Sequence, residues 1–313
     1  MGEYGKSEKY LKRILSSLPE NHPDVSKIHF HLGRVYYLRG QLQPALSYYD
    51  QAIDLQKREV APQENSFDIA RTLHNIANIY LAQKQIAKAL EYYEKALEMK
   101  RIVLHDNPDH PSIATTLAAI GSVYRRQGDL KTALDLSKKS YQMKKLSLVN
   151  DHPSLADSLN SLGIIYQELD DYEEALNCYR KALEIKKNTL PPTHPSISDT
   201  LNNMGIVYRQ EGNYNKALIC YKQALEIELT TMAPDNLDLA DTYNNLCTLY
   251  YDKSDYNQAL EMAKCKLNIL QRHFGNDNEQ VKAAEFLIEE INQEMKESST
   301  VQEDQTYSFE VSF

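Results

Sequence analysis

The sequence predicts an all-α solenoid, in which antiparallel helix pairs stack into a superhelix. The main observation is a phrase of a small residue followed three positions later by Tyr, which occurs six times in the 313 residues. The steps between copies are 44, 44, 42, 42 and 42 residues. A fixed period of this length is typical of proteins in which one supersecondary unit stacks on the next. The six copies begin at Gly33, Ala77, Gly121, Gly163, Gly205 and Cys247.

A second series of small residues predicts where the two helices of a unit meet. Twelve positions after the first residue of each phrase the chain carries an alanine, and large apolar residues recur between these points. Spacings of three, four and seven residues place such groups on one helix face, and small side chains let two backbones approach closely. The alanines are Ala45, Ala89, Ala133, Ala175, Ala217 and Ala259.

The connections between helices are equally regular. The turn inside a pair has glycine at Gly40, Gly128 and Gly212, and glycine adopts the left-handed conformation that ends a helix. Between pairs the chain repeats a His-Pro dipeptide, and proline is favoured in the first turn of a helix. The histidines of these junctions are His22, His110, His152 and His194.

This pattern resembles the tetratricopeptide repeat, with a small residue at the eighth position, Tyr at the eleventh, and Ala at the twentieth and twenty-seventh. The resemblance covers residues 21–278 as six repeats. The usual period of that family is about 34 residues. The longer period, with its His-Pro junctions, looks like the repeats of kinesin light chains. The resemblance implies a right-handed solenoid that binds proteins.

The two ends of the chain depart from the repeat. Residues 1–20 align with the second helix of a repeat, so we expect a partial repeat; either an upstream segment completes it or the helix acts as a cap. Residues 279–297 carry an apolar stripe that includes Val281, Ala284, Phe286 and Ile291, which predicts a C-terminal capping helix. Residues 298–313 are polar, and we expect a disordered tail.

Composition narrows the class of protein. The formal net charge of −9 argues against nucleic acid or an anionic membrane as the main partner. The sequence has no run of 18 apolar residues and no apolar signal core at its N-terminus, which predicts a soluble, cytoplasmic protein. Four cysteines without a CxxC spacing indicate neither a zinc site nor a disulfide framework. We therefore expect no metal and no cofactor.

The histidines do not predict an active site. Four of the nine are the junction residues, which lie whole repeats apart, whereas a catalytic pair must come within hydrogen-bond reach. The sequence contains no Gly-rich phosphate loop, nucleophile elbow or HExxH motif. We expect a protein without catalytic activity.

The resemblance also implies a ligand surface. In that family the first helix of each repeat faces a concave groove, and a few of its positions reach the ligand. Carried over position by position, these places hold a row of asparagines, whose amides both donate and accept and could bind the backbone of an extended peptide. Alternatively, the amides bond only to neighbouring helices. The row is Asn75, Asn78, Asn160, Asn202, Asn203, Asn244 and Asn245.

Charges at the same positions are segregated along the sequence. The first three repeats hold Arg34, Arg71, Arg125 and Arg126, with Arg209 later. Such a groove would hold a ligand with its acidic end toward the N-terminal half, because Arg binds carboxylates in bidentate fashion. A solvated face with incidental charge is the alternative. The carboxylates of the later repeats are Asp157, Glu168, Asp199, Asp241 and Asp252.

Together these observations predict a non-catalytic adaptor or scaffold that holds an extended or helical peptide of a partner protein. Kinesin-light-chain-like cargo recognition is one form of this function. The resemblance allows a microtubule-motor complex as a partner, but the lack of heptads before residue 20 argues against motor association and leaves cargo-like peptide binding open. One alternative is the substrate-recruiting arm of an enzyme whose catalytic domain lies upstream. Another is a self-associating scaffold, whereas the main prediction is a monomer or a weak self-associate.

Overall fold

The computed structural model describes residues 2–19, 22–58 and 64–310, and within these ranges it contains fourteen α-helices and no strand. The predicted all-α class is confirmed. The first seven helices are α1 (Gly2–Ser17), α2 (Val25–Leu38), α3 (Leu42–Arg58), α4 (Glu64–Ala82), α5 (Ile86–Val103), α6 (Pro111–Arg126) and α7 (Leu130–Ser147). The other seven are α8 (Pro153–Glu168), α9 (Tyr172–Thr189), α10 (Pro195–Gln210), α11 (Tyr214–Thr231), α12 (Leu237–Asp252), α13 (Tyr256–Phe274) and α14 (Glu279–Glu310).

The helices pack as consecutive pairs within two compact units, one ending at Asn150 and one beginning at Asp151. In the first unit α2 pairs with α3, α4 with α5 and α6 with α7, and α3 and α5 also contact the next first helix. In the second unit α8–α13 form three pairs in the same way. We call the even-numbered helices from α2 to α12 the first helices, and the odd-numbered ones from α3 to α13 the second helices.

The predicted small residues lie where the helices of a pair meet. All six alanines of the second helices are fully buried. Beside them lie four buried tyrosines, which are the largest side chains of the core: Tyr49, Tyr93, Tyr179 and Tyr221. The tyrosines of the repeated phrase are less uniform, because Tyr208 and Tyr250 are buried whereas those of the earlier copies are half-buried. The core is therefore built from the residues whose spacing first indicated the repeat.

The turn within each pair takes a left-handed conformation. Gly40, Gly128 and Gly212 have φ angles of 72°, 84° and 73°. The residues at the same point of the other pairs adopt it as well, although they carry side chains; they are Lys84, Asp170 and Ser254, with φ angles of 59°, 58° and 59°. Position in the repeat thus fixes the backbone there even where glycine is absent.

The His-Pro junctions begin first helices. His110, His152 and His194 are the N-cap residues of α6, α8 and α10, each followed by proline in the first turn. Each imidazole Nδ1 accepts a hydrogen bond from the backbone N–H two residues later, at 3.1, 3.1 and 3.2 Å. These rings satisfy the free donors of a helix N-terminus, a structural role.

Both ends of the described chain pack onto the array. On α1, Glu8 Oε1 accepts a hydrogen bond of 2.7 Å from the hydroxyl of Tyr36 on α2, and Arg39 pairs with the same carboxylate. On α14, Val281, Ala284 and Ile291 are buried, but Phe286 is 61% exposed and does not join the predicted apolar face. The backbone of α14 stays helical to Glu310, so the boundary predicted at residue 297 is not a helix end. Residues 311–313 of the predicted tail lie outside the described residues.

Candidate partner-binding surface

The asparagines of the second unit occupy two adjacent positions on the first helices, and the hydrogen bonding of the side chains differs between the two positions. At the earlier position, Asn202 on α10 donates from Nδ2 to Glu228 Oε1 at 3.1 Å and to Thr242 Oγ1 at 2.6 Å. It therefore joins α10 to α11 and α12. Asn244 on α12 accepts a hydrogen bond of 2.8 Å from Lys266 on α13. The amides of Asn202 and Asn244 thus serve contacts between helices.

The later position holds Asn203 on α10 and Asn245 on α12. Both side chains are half-buried, and neither makes a hydrogen bond within the described part of the chain. One turn further on, the same helix faces carry Ile206 and Thr248, also half-buried. Two free amides in register, beside partly exposed side chains, form a surface that can both donate and accept hydrogen bonds. We call Asn203 and Asn245 the free amide pair.

Asn160 on α8 stands at the earlier position of the fourth repeat. Its Oδ1 atom is buried and makes no hydrogen bond among the described residues. The neighbouring residue at the later position is Ser161, whose hydroxyl donates to the backbone carbonyl of Asp157 at 2.9 Å. The free amide pair therefore does not extend to α8.

Carboxylates line the same first helices one turn earlier. Asp157, Asp199 and Asp241 occupy equivalent exposed positions on α8, α10 and α12. Desolvation raises the pKa of Asp199 and of Asp241; Lys186 opposes the rise at Asp199, and Asp238 adds to it at both residues. The negative charge of Asp238 beside Asp199 and Asp241 favours a cationic group nearby.

Arg209 does not stand free to meet a ligand. Its guanidinium Nη1 on α10 lies 2.7 Å from Asp252 Oδ2 on α12, and both side chains are 28% exposed. Two oppositely charged residues of the later repeats thus pair with each other and join consecutive first helices.

The site residues predicted in the first unit form a connected network. The Arg71 guanidinium on α4 pairs with Asp68 at 2.9 Å and lies 4.8 Å from the ring centroid of Phe30 on α2. Asn75 Nδ2 donates to the Arg71 carbonyl at 3.1 Å. Asn78 accepts a hydrogen bond from the Tyr93 hydroxyl on α5. Arg71 and Asn78 thus contact neighbouring helices, whereas Asn75 bonds within α4.

The remaining two arginines of the first unit are placed differently from each other. Arg34 on α2 is exposed and lines a shallow groove between α1 and α2, together with Tyr4, Tyr10 and Leu38. Arg125, near the end of α6, is half-buried.

Sequence reasoning missed a buried polar position on the second helices, which we call the polar slot. In the first unit Gln56 faces the Thr72 hydroxyl at 3.3 Å, and Lys100 donates to Thr116 Oγ1 at 2.8 Å and to the Ser112 carbonyl at 3.1 Å. Burial lowers the pKa of Lys100 to about 8. The signal was present, because the slot residues recur 44, 44, 42 and 42 positions apart: Gln56, Lys100, Lys144, Lys186 and Glu228.

The described residues offer no group of three or more His, Cys, Asp or Glu side chains that could hold a metal ion. Over the same residues, no helix has the length and apolar character needed to cross a lipid bilayer. The four cysteines are free thiols.

No curated protein matches the chain. Several solved structures share its fold. BtubC (BKLC) from P. vanneervenii is 19% identical with a TM-score of 0.64, over 75% of this chain and 92% of that one. A putative kinesin light chain from Podospora anserina, with nearly identical repeats, is 23% identical with a TM-score of 0.53, over 68% and 99%. The apo form of RapI is 17% identical with a TM-score of 0.58, over 87% and 99%.

At these identities the similarity establishes the fold alone. For the fold, the prediction of long repeats of the kinesin-light-chain type is confirmed. The family profile described as tetratricopeptide repeat matches residues 1–58, 68–146, 112–188, 154–230 and 196–272. Repeats of this kind generally mediate protein–protein interactions and are typically non-catalytic. Because these matches span most of its length, the chain belongs to the tetratricopeptide repeat family.

Proposed function

We propose that this protein is a non-catalytic adaptor that binds an extended segment of a partner protein across the first helices of its second unit. The observation that carries the proposal is the free amide pair. Asn203 and Asn245 lie at equivalent positions of consecutive first helices, half-buried and without hydrogen bonds among the described residues. Asparagine is a poor residue for a helix interior, and neither of these two amides makes a hydrogen bond with the described residues.

The chemistry of the two amides suits a peptide backbone. Each amide can donate to a carbonyl and accept from an N–H of an extended chain, so binding depends little on the peptide's side chains. The half-buried Ile206 and Thr248 provide the neighbouring surface on which alternate side chains can rest. The structure thus supports a surface of broad specificity rather than a deep pocket.

The carboxylate row adds a preference. Asp199 and Asp241 stand one turn from the free amide pair, and their pKa values are raised because the protein desolvates them. A lysine or arginine of the partner would relieve this cost. We therefore propose that the part of the ligand over the second unit is basic, while Arg34 and Arg125 in the first unit favour acidic residues elsewhere in the ligand.

Partner capture tests this function. The double variant Asn203→Leu, Asn245→Leu should lose its protein partners and keep its helicity and melting temperature. The matched control is Asn215→Leu, Asn257→Leu, which changes two exposed asparagines at equivalent positions of the second helices α11 and α13. Quantitative mass spectrometry should identify proteins captured by the wild type and the control but lost with the first variant. Equal capture by all three would place the ligand elsewhere.

Identification of these proteins would also test the finer parts of the proposal. Motor or cargo components would support the kinesin-light-chain-like role. Tiled peptides from each captured protein, tested by fluorescence polarisation, should bind more weakly to Asp199→Asn and Asp241→Asn variants and at higher salt. The free thiols agree with the reducing cytoplasm that we propose as its location.

A further inference from the structure

Two consecutive junctions of the second unit place opposite chemistry in the polar slot. On α9, Lys186 donates to Thr200 Oγ1 at 2.8 Å and to the Ser196 carbonyl at 2.9 Å, both on α10. On α11 the slot residue is Glu228, and the equivalent of Thr200 on α12 is Thr242. A carboxyl group therefore stands where the preceding junction has an ammonium donor.

Hydrogen bonding around Glu228 is incomplete. The side chain is 1% exposed, and its Oε1 atom accepts from Asn202 at 3.1 Å. Its Oε2 atom and the Oδ1 atom of Asn202 are buried, and neither has a hydrogen-bond partner among the described residues. Two acceptor atoms in one cluster thus lack a donor, which is costly inside a protein.

The charges around Glu228 do not favour its ionised form. The carboxylate of Asp199 faces it from α10, and Asp238 and the phenol of Tyr243 face it from α12. Burial raises the pKa of Glu228 to about 7; the hydroxyls of Thr242 and Ser198 oppose this rise, and the two aspartates add to it. The two charged groups that act on it most strongly are both aspartates.

We propose that the junction of α10, α11 and α12 depends on a proton carried by Glu228. The proton supplies the donor that Lys186 supplies one repeat earlier. Loss of this proton leaves a buried carboxylate beside two others, and we expect this to loosen the packing of the fifth helix pair against the sixth. Since the folded pKa lies above the usual 4.5 of a glutamate, the native state holds the extra proton between these values. Stability is therefore lost as the pH rises from about 4.5 to about 7.

Protonation of Glu228 would also regulate partner binding. Asn202, which contacts Glu228, is adjacent to Asn203, and Thr242 is on the helix that carries Asn245. Loosening this junction changes the spacing of the free amide pair. This consequence rests on the proposed function, whereas the proton-dependent junction does not.

Hydrogen exchange of the full chain tests the junction without any ligand. Exchange of the α11 and α12 segments is measured by mass spectrometry between pH 5.5 and 8, and each wild-type rate is divided by that of Glu228→Gln at the same pH. The division removes the intrinsic pH dependence of amide exchange. We expect the ratio to rise about tenfold or more across this range, as one titrating group allows. The control Glu226→Gln, at an exposed position of α11, should behave as the wild type.

A second variant separates charge from packing. Glu228→Lys recreates the Lys186 arrangement and should keep α11 and α12 protected at every pH of the series. A wild-type to Glu228→Gln ratio that stays constant within twofold would overturn the proposal. A Glu226→Gln protein that loses the wild type's pH response, as Glu228→Gln should, would also overturn it. The exchange ratio could change with pH while the Asn203→Leu, Asn245→Leu variant captures the same proteins as the wild type. That result would support the proton-dependent junction and refute only its proposed effect on partner binding.

Discussion

Gly33 on α2 lies directly against the ring of Tyr49 on α3. A Cβ atom on Gly33 would stand 2.7 Å from both Cδ1 and Cε1 of that ring. Tyr49 is 1% exposed, so the ring has no free space into which it could withdraw. The same contact recurs between Gly163 and Tyr179 in the second unit. At these pairs the recurring tyrosine is the physical reason for the recurring small residue.

Replacing Gly33 with alanine should destabilise the protein. The added methyl group overlaps a buried ring, and overpacking of this kind typically costs about 1–3 kcal/mol. Chemical denaturation of both proteins measures the difference. The control is Gly5→Ala on α1, where a Cβ atom meets nothing within 4 Å, so the better helix propensity of alanine should leave stability unchanged or raise it by up to about 1 kcal/mol. Equal stability of the two variants would contradict the contact.

Replacing Ser254 with glycine should stabilise the last helix pair. Ser254 holds a φ of 59° in the turn between α12 and α13, a conformation that strains a residue with a Cβ atom. We expect a gain of up to about 1 kcal/mol, reduced by the extra freedom of glycine in the unfolded chain. The reverse change, Gly212→Ala at a φ of 73°, should lower stability by a similar amount. Thermal melts of both variants check the sign.

Two adjacent asparagines should respond in opposite ways to the same substitution. Asn202→Leu removes the donor to Glu228 and Thr242, so we expect a loss of about 1–3 kcal/mol in unfolding free energy. Asn203→Leu removes no hydrogen bond among the described residues and should leave stability within about 0.5 kcal/mol of the wild type. Denaturant titration distinguishes them. A stable Asn202→Leu protein would show that its contacts contribute little.

Lys100 should make the first unit more stable in mild alkali. Its folded pKa of about 8 lies below the usual 10.5, so between these values the unfolded state binds the extra proton and stability rises with pH. The gain is at most about 1.4 kcal/mol per pH unit for one group. Denaturation at pH 8.0 and 9.5 should show it in the wild type and not in Lys100→Met. A parallel response of both proteins would assign the effect to other groups.

The repeat and its turns could be predicted because they depend on contacts between residues at fixed spacing. The buried alanines and the left-handed glycines lie where the period placed them. Phe286 could not be placed in the same way. It lies on α14, outside the repeat, and a stripe of apolar residues does not say which of them the neighbouring helices cover.

The candidate surface was predictable only in part. Position in the repeat put Asn202 and Asn203 on the right helix, but the direction of each amide depends on partners that are distant in sequence. The partner Thr242 follows Asn202 by 40 positions, and Asp252 follows Arg209 by 43. A motif carried over from a family names positions and cannot show which charges neutralise each other.

The polar slot makes the helix pairs unequal modules. Gln56, Lys100 and Lys186 each face a hydroxyl on the following pair, but they bring an amide or an ammonium, whereas Glu228 brings a carboxyl. A pair duplicated or shuffled by recombination would fit its new neighbours in shape and yet change the titration of the interior. The order of the repeats therefore also sets the order of the buried ionisable groups. Each junction between helix pairs consequently has its own dependence of stability on pH.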